Sequence, residues 1–425
     1  ATFDVAVLGR TGATAAYRVA PSAADTLVRY RLTRRGGDAP VTLDFTSSVP
    51  WLRAPASITV AGESVEIVLV QRPPLGRPGT HVGVVKAMAV GVSGPVAMLV
   101  STVVVPHADR AGSVDAAATL RRGASERIFF AADSARPFQV TIAATSRARQ
   151  LTAALHQPGG QPIFGENGVP AGADTAAAVF DVDGRDARRG FYEAVAVAPS
   201  DGPIGSQIRV AHAPALLDLA IGPFDSLRAT LIGQVDTTIT GRLRIGLIGA
   251  ESRFALSGAG GVDVVARIPV PRWARRLVVD LALDPDQWAR FTDFGFTALD
   301  SEGRILGKNP ANYARSRLSL DLVAAPHDRE VTLVLSPAFA EPESREHWKA
   351  GIGVRIEAER PTLLESREGE EFRLAPRSTS VFRARLGEPP WPLPAGYGFL
   401  ALFVLEEGGH EWTWERALTG PAAVP

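Results

Sequence analysis

Apolar and polar residues alternate with a period of two along much of this chain, and that pattern restricts the fold more than any other feature. Thr26-Leu-Val-Arg-Tyr-Arg-Leu32, Glu63-Ser-Val-Glu-Ile-Val-Leu-Val70 and Phe372-Arg-Leu374 each gather apolar side chains on one face, as a half-buried strand does. Val96-Ala-Met-Leu-Val-Ser-Thr-Val-Val-Val105 is apolar nearly throughout and β-branched, which suits a strand covered on both faces. Turn chemistry ends many of the runs: Arg35-Gly-Gly-Asp38, Gly76-Arg-Pro-Gly79, Gln157-Pro-Gly-Gly160, Asp300-Ser-Glu-Gly303 and Glu407-Gly-Gly409. Only 285–291 reads as a turn of helix. Gly (41 residues) and Pro (32) are abundant without a Gly-X-Y period, so the excess serves turns and not a collagen helix. The fold expected is all-β.

The length of 425 residues exceeds one domain. Polar, small-residue seams stand at Pro106–Ser113, His212–Ala215 and Glu359-Arg-Pro361, the last followed by the charged run Glu365–Glu371. They divide the chain into an immunoglobulin-like sandwich over 1–108, a second sandwich over 114–213, a jelly-roll-like sandwich over 214–360 and a C-terminal β segment over 361–425. A turn, a glycine and a long apolar strand recur at 75–85, 188–197 and 393–402. Glycine there permits a positive φ where the chain enters the strand.

Composition excludes several functions. Lys+Arg and Asp+Glu are both 45, so no basic surplus draws the chain to nucleic acid or anionic lipid. Lysine occurs only at Lys86, Lys308 and Lys349. With no cysteine there can be no disulfide, thiolate nucleophile or iron–sulfur cluster. The apolar run Phe399–Leu405 falls far short of the roughly 20 residues that a membrane-spanning helix needs. The start at Ala1 suggests a processed or excised product.

The search for reactive groups is negative. Gly91-Val-Ser93-Gly94-Pro95 breaks the Gly-x-Ser-x-Gly elbow of a serine hydrolase. His81 in Gly79-Thr-His81 lacks the first histidine of a His-Gly-Thr-His base motif, Pro78 standing in its place, and reads as a strand-edge histidine. Thr46-Ser47 and Thr145-Ser146 lack the glycine of a Gly-Thr-Ser nucleophile segment. His410-Glu411 meets Trp414 where a zinc-peptidase helix needs a second histidine. Ser257-Gly-Ala-Gly-Gly261 has no Lys-Ser/Thr behind it to hold phosphate. Asp181, Asp183 and Asp186 cluster around Gly184 as a calcium loop would, or simply form a polar hairpin turn. Trp412 and Trp414, at i and i+2 with Trp391 and Tyr397 nearby, either form a glycan- or protein-binding face or fill the core. Trp51, Trp273, Trp288 and Trp348 read as core anchors. No catalytic, cofactor or metal residue is assigned.

One ordered set of segments carries a resemblance. Val49-Pro-Trp51-Leu-Arg-Ala-Pro55, Val65–Val70, Leu75-Gly-Arg-Pro-Gly79-Thr-His81 and Gly94-Pro95…Val105-Pro106 resemble the non-catalytic β-sandwich region of tripeptidyl-peptidase II-like subtilases. Arg121–Phe130 with Ala135–Phe138, and Trp288–Phe296 with Asp300–Arg304, are similar to segments that follow in that family. The resemblance implies an accessory or scaffold region of a subtilisin-like serine peptidase, without its Asp/His/Ser triad. It implies a catalytic domain or polypeptide substrate as partner, a homo-oligomer as a further option, and an extracellular or periplasmic location. The alternative is a free-standing surface protein whose sandwiches bind glycan or protein, in which case Trp412 and Trp414 should face solvent.

Overall fold

A computed structural model describes the chain except residues 1, 11, 21–23, 38, 75, 109–111, 146–150, 164–176, 199–202, 222–226, 289, 312–313, 340–346, 365, 367–369, 386–390 and 419–425. The described residues form 31 strands and one four-residue helix, Pro285–Trp288, within the segment that the sequence marked as helical. None of the described helix is long and apolar enough to cross a membrane. The protein is all-β, built from tandem sandwiches, because turn residues cut the alternating runs at lengths suited to strands.

The contacts divide the chain into two compact units. The first comprises Ala1–Ser134, Gln139–Asp181 and Arg188–His212. Its N-terminal sandwich sets the sheet Thr2–Val7, Thr26–Arg35, Ser64–Gln71, Leu52–Arg53 against a five-stranded sheet. The order in that sheet is Ala15–Val19, Pro95–Val105, Gly79–Ala89, Val41–Ser47, Ser57–Val60. Between them lies a core of Tyr30, Leu32, Ile67 and Leu69 from one sheet and Leu43, Val85, Ala87 and Leu99 from the other. Tyr30 is fully buried, and its hydroxyl donates to the carbonyl of Val100 at 2.6 Å. Beyond it, strands 113–120, 204–212, 138–144 and 177–182 form one sheet, and 125–132, 190–197, 152–156 and 162–163 another.

The second unit comprises Ala135–Phe138, Val182–Ala187 and Ala213–Pro425. A seven-stranded sheet runs Arg315–Asp321, Ala274–Leu283, His347–Leu363, Ile239–Ala259, Gly398–Glu407, His410–Leu418, with Glu371–Leu374 also paired to Ile239–Ala259. One of its faces meets the sheet Val264–Val270, Arg329–Phe339, Phe291–Leu299, Ile305–Asn309 over a core of Leu277, Val279, Phe294, Leu333, Trp348 and Ile352. The segment 361–425 threads back into sheets begun earlier: Thr379–Ala384 pairs with Leu227–Gly233, and Gly398–Glu407 with Ile239–Ala259. Glu359-Arg-Pro361, read as a seam, lies inside the strand His347–Leu363.

The strand Pro95–Val105 departs from expectation. Val96, Ala97 and Leu99 sit in the core, but Met98 is 53% exposed, so the strand's outward face is not covered along its length. Its β-branched residues satisfy the strand propensity whether or not a second layer is present.

Candidate functional site

The Asp181–Asp186 segment leads to a dense cluster of charged side chains among the described residues. It is a turn but not a hairpin: it joins Ala177–Val182 in one sheet to Gly190–Val197 in another. Nor do its carboxylates converge. Asp181 accepts a hydrogen bond from the Gln139 amide at 2.7 Å. Asp183 folds over its own turn, its Oδ1 accepting the backbone N–H groups of Arg185 at 2.7 Å and Asp186 at 2.8 Å, an Asx turn. Asp186 is held by two guanidinium nitrogens of Arg317, at 2.9 and 3.1 Å. Among the described residues no group of three His, Cys, Asp or Glu side chains is placed to hold a metal ion.

The residues Val182–Ala187 and one face of the seven-stranded sheet together build an ion network. Register fixes which side chains share that face: Asp280 stands opposite Arg317, Arg276 opposite Glu357, and Glu251 opposite Arg355. The other face carries Leu277, Val279, Leu281, Ile352 and Val354 into the core, so alternation sends the charges to the opposite side. Arg317 Nε donates to Asp280 at 2.6 Å. Arg355 is 4% exposed and donates to Glu415, with Asp280 and Glu357 each 3.7 Å away. Arg185 reaches from the turn to Glu251 through two 2.8 Å bonds, and Glu251 also accepts from Arg253 Nε at 2.6 Å.

The electrostatics follow from this crowding. Burial pushes the Asp183 carboxyl up to about 6, helped by Asp186 and Glu415. Burial likewise raises Glu415, with Glu357 and Asp186 adding to it against the opposing pull of Arg355 and Arg185. Burial would also raise Asp186, but the Arg317 guanidinium in contact with it, with Arg355 and Arg185 beyond, brings its carboxyl below the usual range. What this arrangement does chemically is fix a turn to a sheet. Each carboxylate has a cationic or backbone donor, and Ser319 Oγ accepts a hydrogen bond from Arg276 Nε at 2.8 Å on the same face.

The other sequence candidates fall elsewhere. His81 begins the strand Gly79–Ala89, its Nε2 2.7 Å from the carbonyl oxygen of Arg77. Ser93 lies in the exposed turn after that strand, between Gly91 and Gly94, both at positive φ. Thr46-Ser47 ends the strand Val41–Ser47, and Ser146 lies outside the described residues. His410-Glu411 opens a strand and not a helix, and Ser257–Ala259 closes one before a turn. Trp348 is buried; Trp51, Trp273 and Trp288 pack at core margins.

The aromatic face expected of a glycan-binding surface protein is corrected. Trp412 is 5% exposed and Trp414 is fully buried, its indole N–H donating to the Ala135 carbonyl at 2.9 Å. Both project inward because the partner strand opposes them with Leu405 and Phe403, themselves buried. Trp391 instead packs on Trp273 with ring centroids 5.1 Å apart, and burial pushes the Tyr397 phenol up to about 12.

Sequence reasoning missed the ion network, although a signal was there. Glu251-Ser-Arg253 and Arg355-Ile-Glu357 put opposite charges at i and i+2 in otherwise apolar strands, hence on one face.

With this geometry in hand, comparison with known proteins is selective. No protein-family model and no curated protein matches the sequence. Among solved structures, the crystal structure of tripeptidyl peptidase 2 (TPP II) superposes with a TM-score of 0.57 at 12% identity. The match covers 99% of this chain and 41% of that one. The likeness is one of fold. The M60 catalytic domain with two CBM51 domains from Clostridium perfringens ZmpB scores 0.17 at 8% identity, covering 85% of this chain and 55% of that one. An archaeal-virus protein with a triple jelly-roll fold also scores 0.17, at 9% identity over 79% and 83% of the two chains. Neither of those two bears on the fold. The chain thus shares its all-β architecture with part of a peptidase, of whose length it spans less than half.

Proposed function

We propose that this chain is a non-catalytic accessory region of a subtilisin-like serine peptidase, working beside a catalytic domain to position polypeptide substrate or to mediate assembly. The observation that carries the reading is the superposition of nearly the whole chain on part of TPP II. The ordered segments from Val49 to Pro106 support the same family. Stacked sandwiches suit such a role physically: short turns and close-packed cores make rigid spacers, which hold a substrate or restrict access without an ionisable triad. Export to the periplasm or the cell exterior belongs to the same reading.

The test joins genetics and enzymology. The gene that encodes this chain should also encode a subtilase domain with His-Gly-Thr-His and Gly-Thr-Ser motifs. The purified chain should neither hydrolyse peptides nor react with a fluorophosphonate serine probe. The catalytic domain should change its relative kcat/KM for long and short peptides when this region is removed. A gene without such a domain sinks the reading. So does an isolated chain whose hydrolysis disappears on replacing one of its serines.

A further inference from the structure

The short crossing from Val41–Ser47 in one sheet of the N-terminal sandwich to Leu52–Arg53 in the other walls an open cleft of about 540 Å3. That volume falls within the roughly 300–1,000 Å3 of ligand sites. The crossing is held along its length. Ser48 donates its N–H to the Val84 carbonyl at 2.9 Å, and the Trp51 carbonyl accepts the Arg72 N–H at 2.8 Å. Val49 settles where Gly83 has no side chain, since a Cβ there would lie 2.6 Å from Val49 Cγ2. The cleft is therefore formed before any ligand arrives, and binding needs little ordering of the protein.

Its lining divides by chemistry. Phe45, Val49 and Pro50 present an apolar wall. Ser47 Oγ donates to the Val49 carbonyl at 2.9 Å, so that hydroxyl is already used. Ser48 Oγ accepts the Val84 N–H at 2.9 Å, which leaves its own proton without an acceptor among the described residues. Arg53 is exposed and enters no ion pair or side-chain hydrogen bond among the described residues. The carboxylate whose charge reaches it, Asp25, is gripped by Arg72 through bonds of 2.8 and 3.0 Å. Among the described residues no acid lines the cleft. A guanidinium and a hydroxyl donor beside an apolar wall thus stand ready for an anion with an apolar neighbour.

We infer that this cleft binds a polypeptide through a carboxylate, seated on Arg53 and Ser48, whose apolar neighbour lies against Phe45, Val49 and Pro50. The planar guanidinium matches a carboxylate with two parallel N–H donors, which fixes orientation as well as charge. A C-terminus and an acidic side chain supply the same group. The sheet beyond Arg53 favours a chain over a small acid. Arg53 stands opposite Val70, and Val70 opposite Leu27, which is 61% exposed. This row crosses two strand spacings, about 10 Å, the reach of three extended residues. An apolar track of that length lets a peptide continue from its anchored carboxylate. The inference goes beyond the peptidase reading and does not rest on it, because the cleft is the same whatever domain stands beside the chain.

Fluorescence anisotropy on the full chain tests it with three N-terminally labelled peptides. The first is Ala-Ala-Ala-Leu with a free C-terminal carboxylate, and the second is the same peptide as its C-terminal amide. The third is Ala-Glu-Leu-Ala as the amide, which carries only a side-chain acid. At least one of the two acids should bind with a dissociation constant below about 1 mM, and the uncharged amide at least about tenfold more weakly, as loss of a charged hydrogen bond requires. The acid that binds identifies the source of the carboxylate. Arg53→Gln should weaken that binding about tenfold or more. Arg53 is exposed, so this variant should melt like the parent. Arg29→Gln, exposed on the same sheet but away from the cleft, should bind as the parent does. Failure of both acids to bind overturns the inference. So does an uncharged amide that binds as well as the acids, or a folded Arg53→Gln variant with undiminished affinity.

Discussion

Arg185 and Glu251 form a bidentate ion pair, both bonds 2.8 Å, with side-chain exposures of 11% and 2%. The pair joins the turn Val182–Ala187 to the middle of the longest strand in its unit. Burying it gains little net stability, because desolvation offsets attraction. Removing Arg185 is another matter, since it takes two of three arginine hydrogen bonds from a carboxylate that is 2% exposed. Arg185→Ala should therefore destabilise the unit by about 3–5 kcal/mol, lowering its melting temperature by about 2–4 °C per kcal/mol. Arg185→Met with Glu251→Leu should recover most of the loss. Calorimetry on the four members of this double-mutant cycle decides the matter, and additive losses would contradict it.

Asp183 makes the stability of the same region pH-dependent in an unusual direction. Its carboxyl rises from 3.8 to about 6 on folding, through burial and the proximity of Asp186 and Glu415. Between those values the native state binds more protons than the unfolded one, so stability falls as pH rises. The favourable contribution is complete below 3.8 and gone above about 6. Asp186, shifted down chiefly by Arg317 against its burial, acts the opposite way and loses its contribution as pH falls. Asp183→Asn keeps an oxygen for the N–H groups of Arg185 and Asp186 while removing the titration. Relative to the parent, this variant should gain stability steadily as pH goes from 4 to 6 and be the more stable protein at pH 7. Urea unfolding at several pH values measures this; parallel curves for the two proteins would refute it.

Much of the architecture was legible from alternation and turn chemistry, because those signals are local. The recurring glycines show how far local reasoning reaches: Gly79, Gly190 and Gly396 all adopt positive φ at strand entrances. Pairing between distant strands was not legible. Nothing in Phe399–Leu405 says that it will lie against Leu243–Ala250, since a strand's sequence specifies its faces and not its neighbours. The ion network was missed for the same reason. Arg317, Asp280, Arg355, Glu251 and Glu415 come from five separate strands, and only register brings them onto one face. The turn Asp181–Asp186 was found in sequence for its acidity, but its arginine partners decided what the acids do.

Trp414 and Gly184 are matched in size, and substitutions at either should act on stability. A Cβ at Gly184 would lie 2.1 Å from Trp414 Cδ1, closer than any real contact allows. Gly184 also donates its N–H to the Thr413 carbonyl at 3.0 Å, so the turn has little room to retreat. Gly184→Ala should cost about 1–3 kcal/mol as an overpacked site. Trp414→Ala should cost about 3–5 kcal/mol for the cavity and the lost N–H bond to Ala135. Combining the two should relieve the clash, giving a double variant no less stable than Trp414→Ala alone. A further drop on combination, seen in thermal melts, would show that the glycine is needed for some other reason.

Tyr30 offers a cleaner measurement, because its ring and hydroxyl separate into two jobs. The ring is fully buried between the sheets of the N-terminal sandwich. The hydroxyl donates to Val100 O at 2.6 Å, lies 3.0 Å from Ser101 Oγ and accepts the Ala16 N–H at 3.3 Å. It ties the strands Ala15–Val19 and Pro95–Val105 to the opposite sheet from within the core. Tyr30→Phe keeps the ring volume and leaves the Ser101 hydroxyl and the Val100 carbonyl without this bond. The expected loss is about 1–3 kcal/mol, the desolvation penalty of buried groups deprived of a partner. Adding Ser101→Ala to Tyr30→Phe should recover part of that loss by removing one orphaned hydroxyl. The same pair should raise hydrogen exchange at Ala16 more than at Leu32, since Leu32 is held by its own ladder with Val65. Equal protection at both amides would show that the Tyr30 hydroxyl carries no share of the strand's attachment.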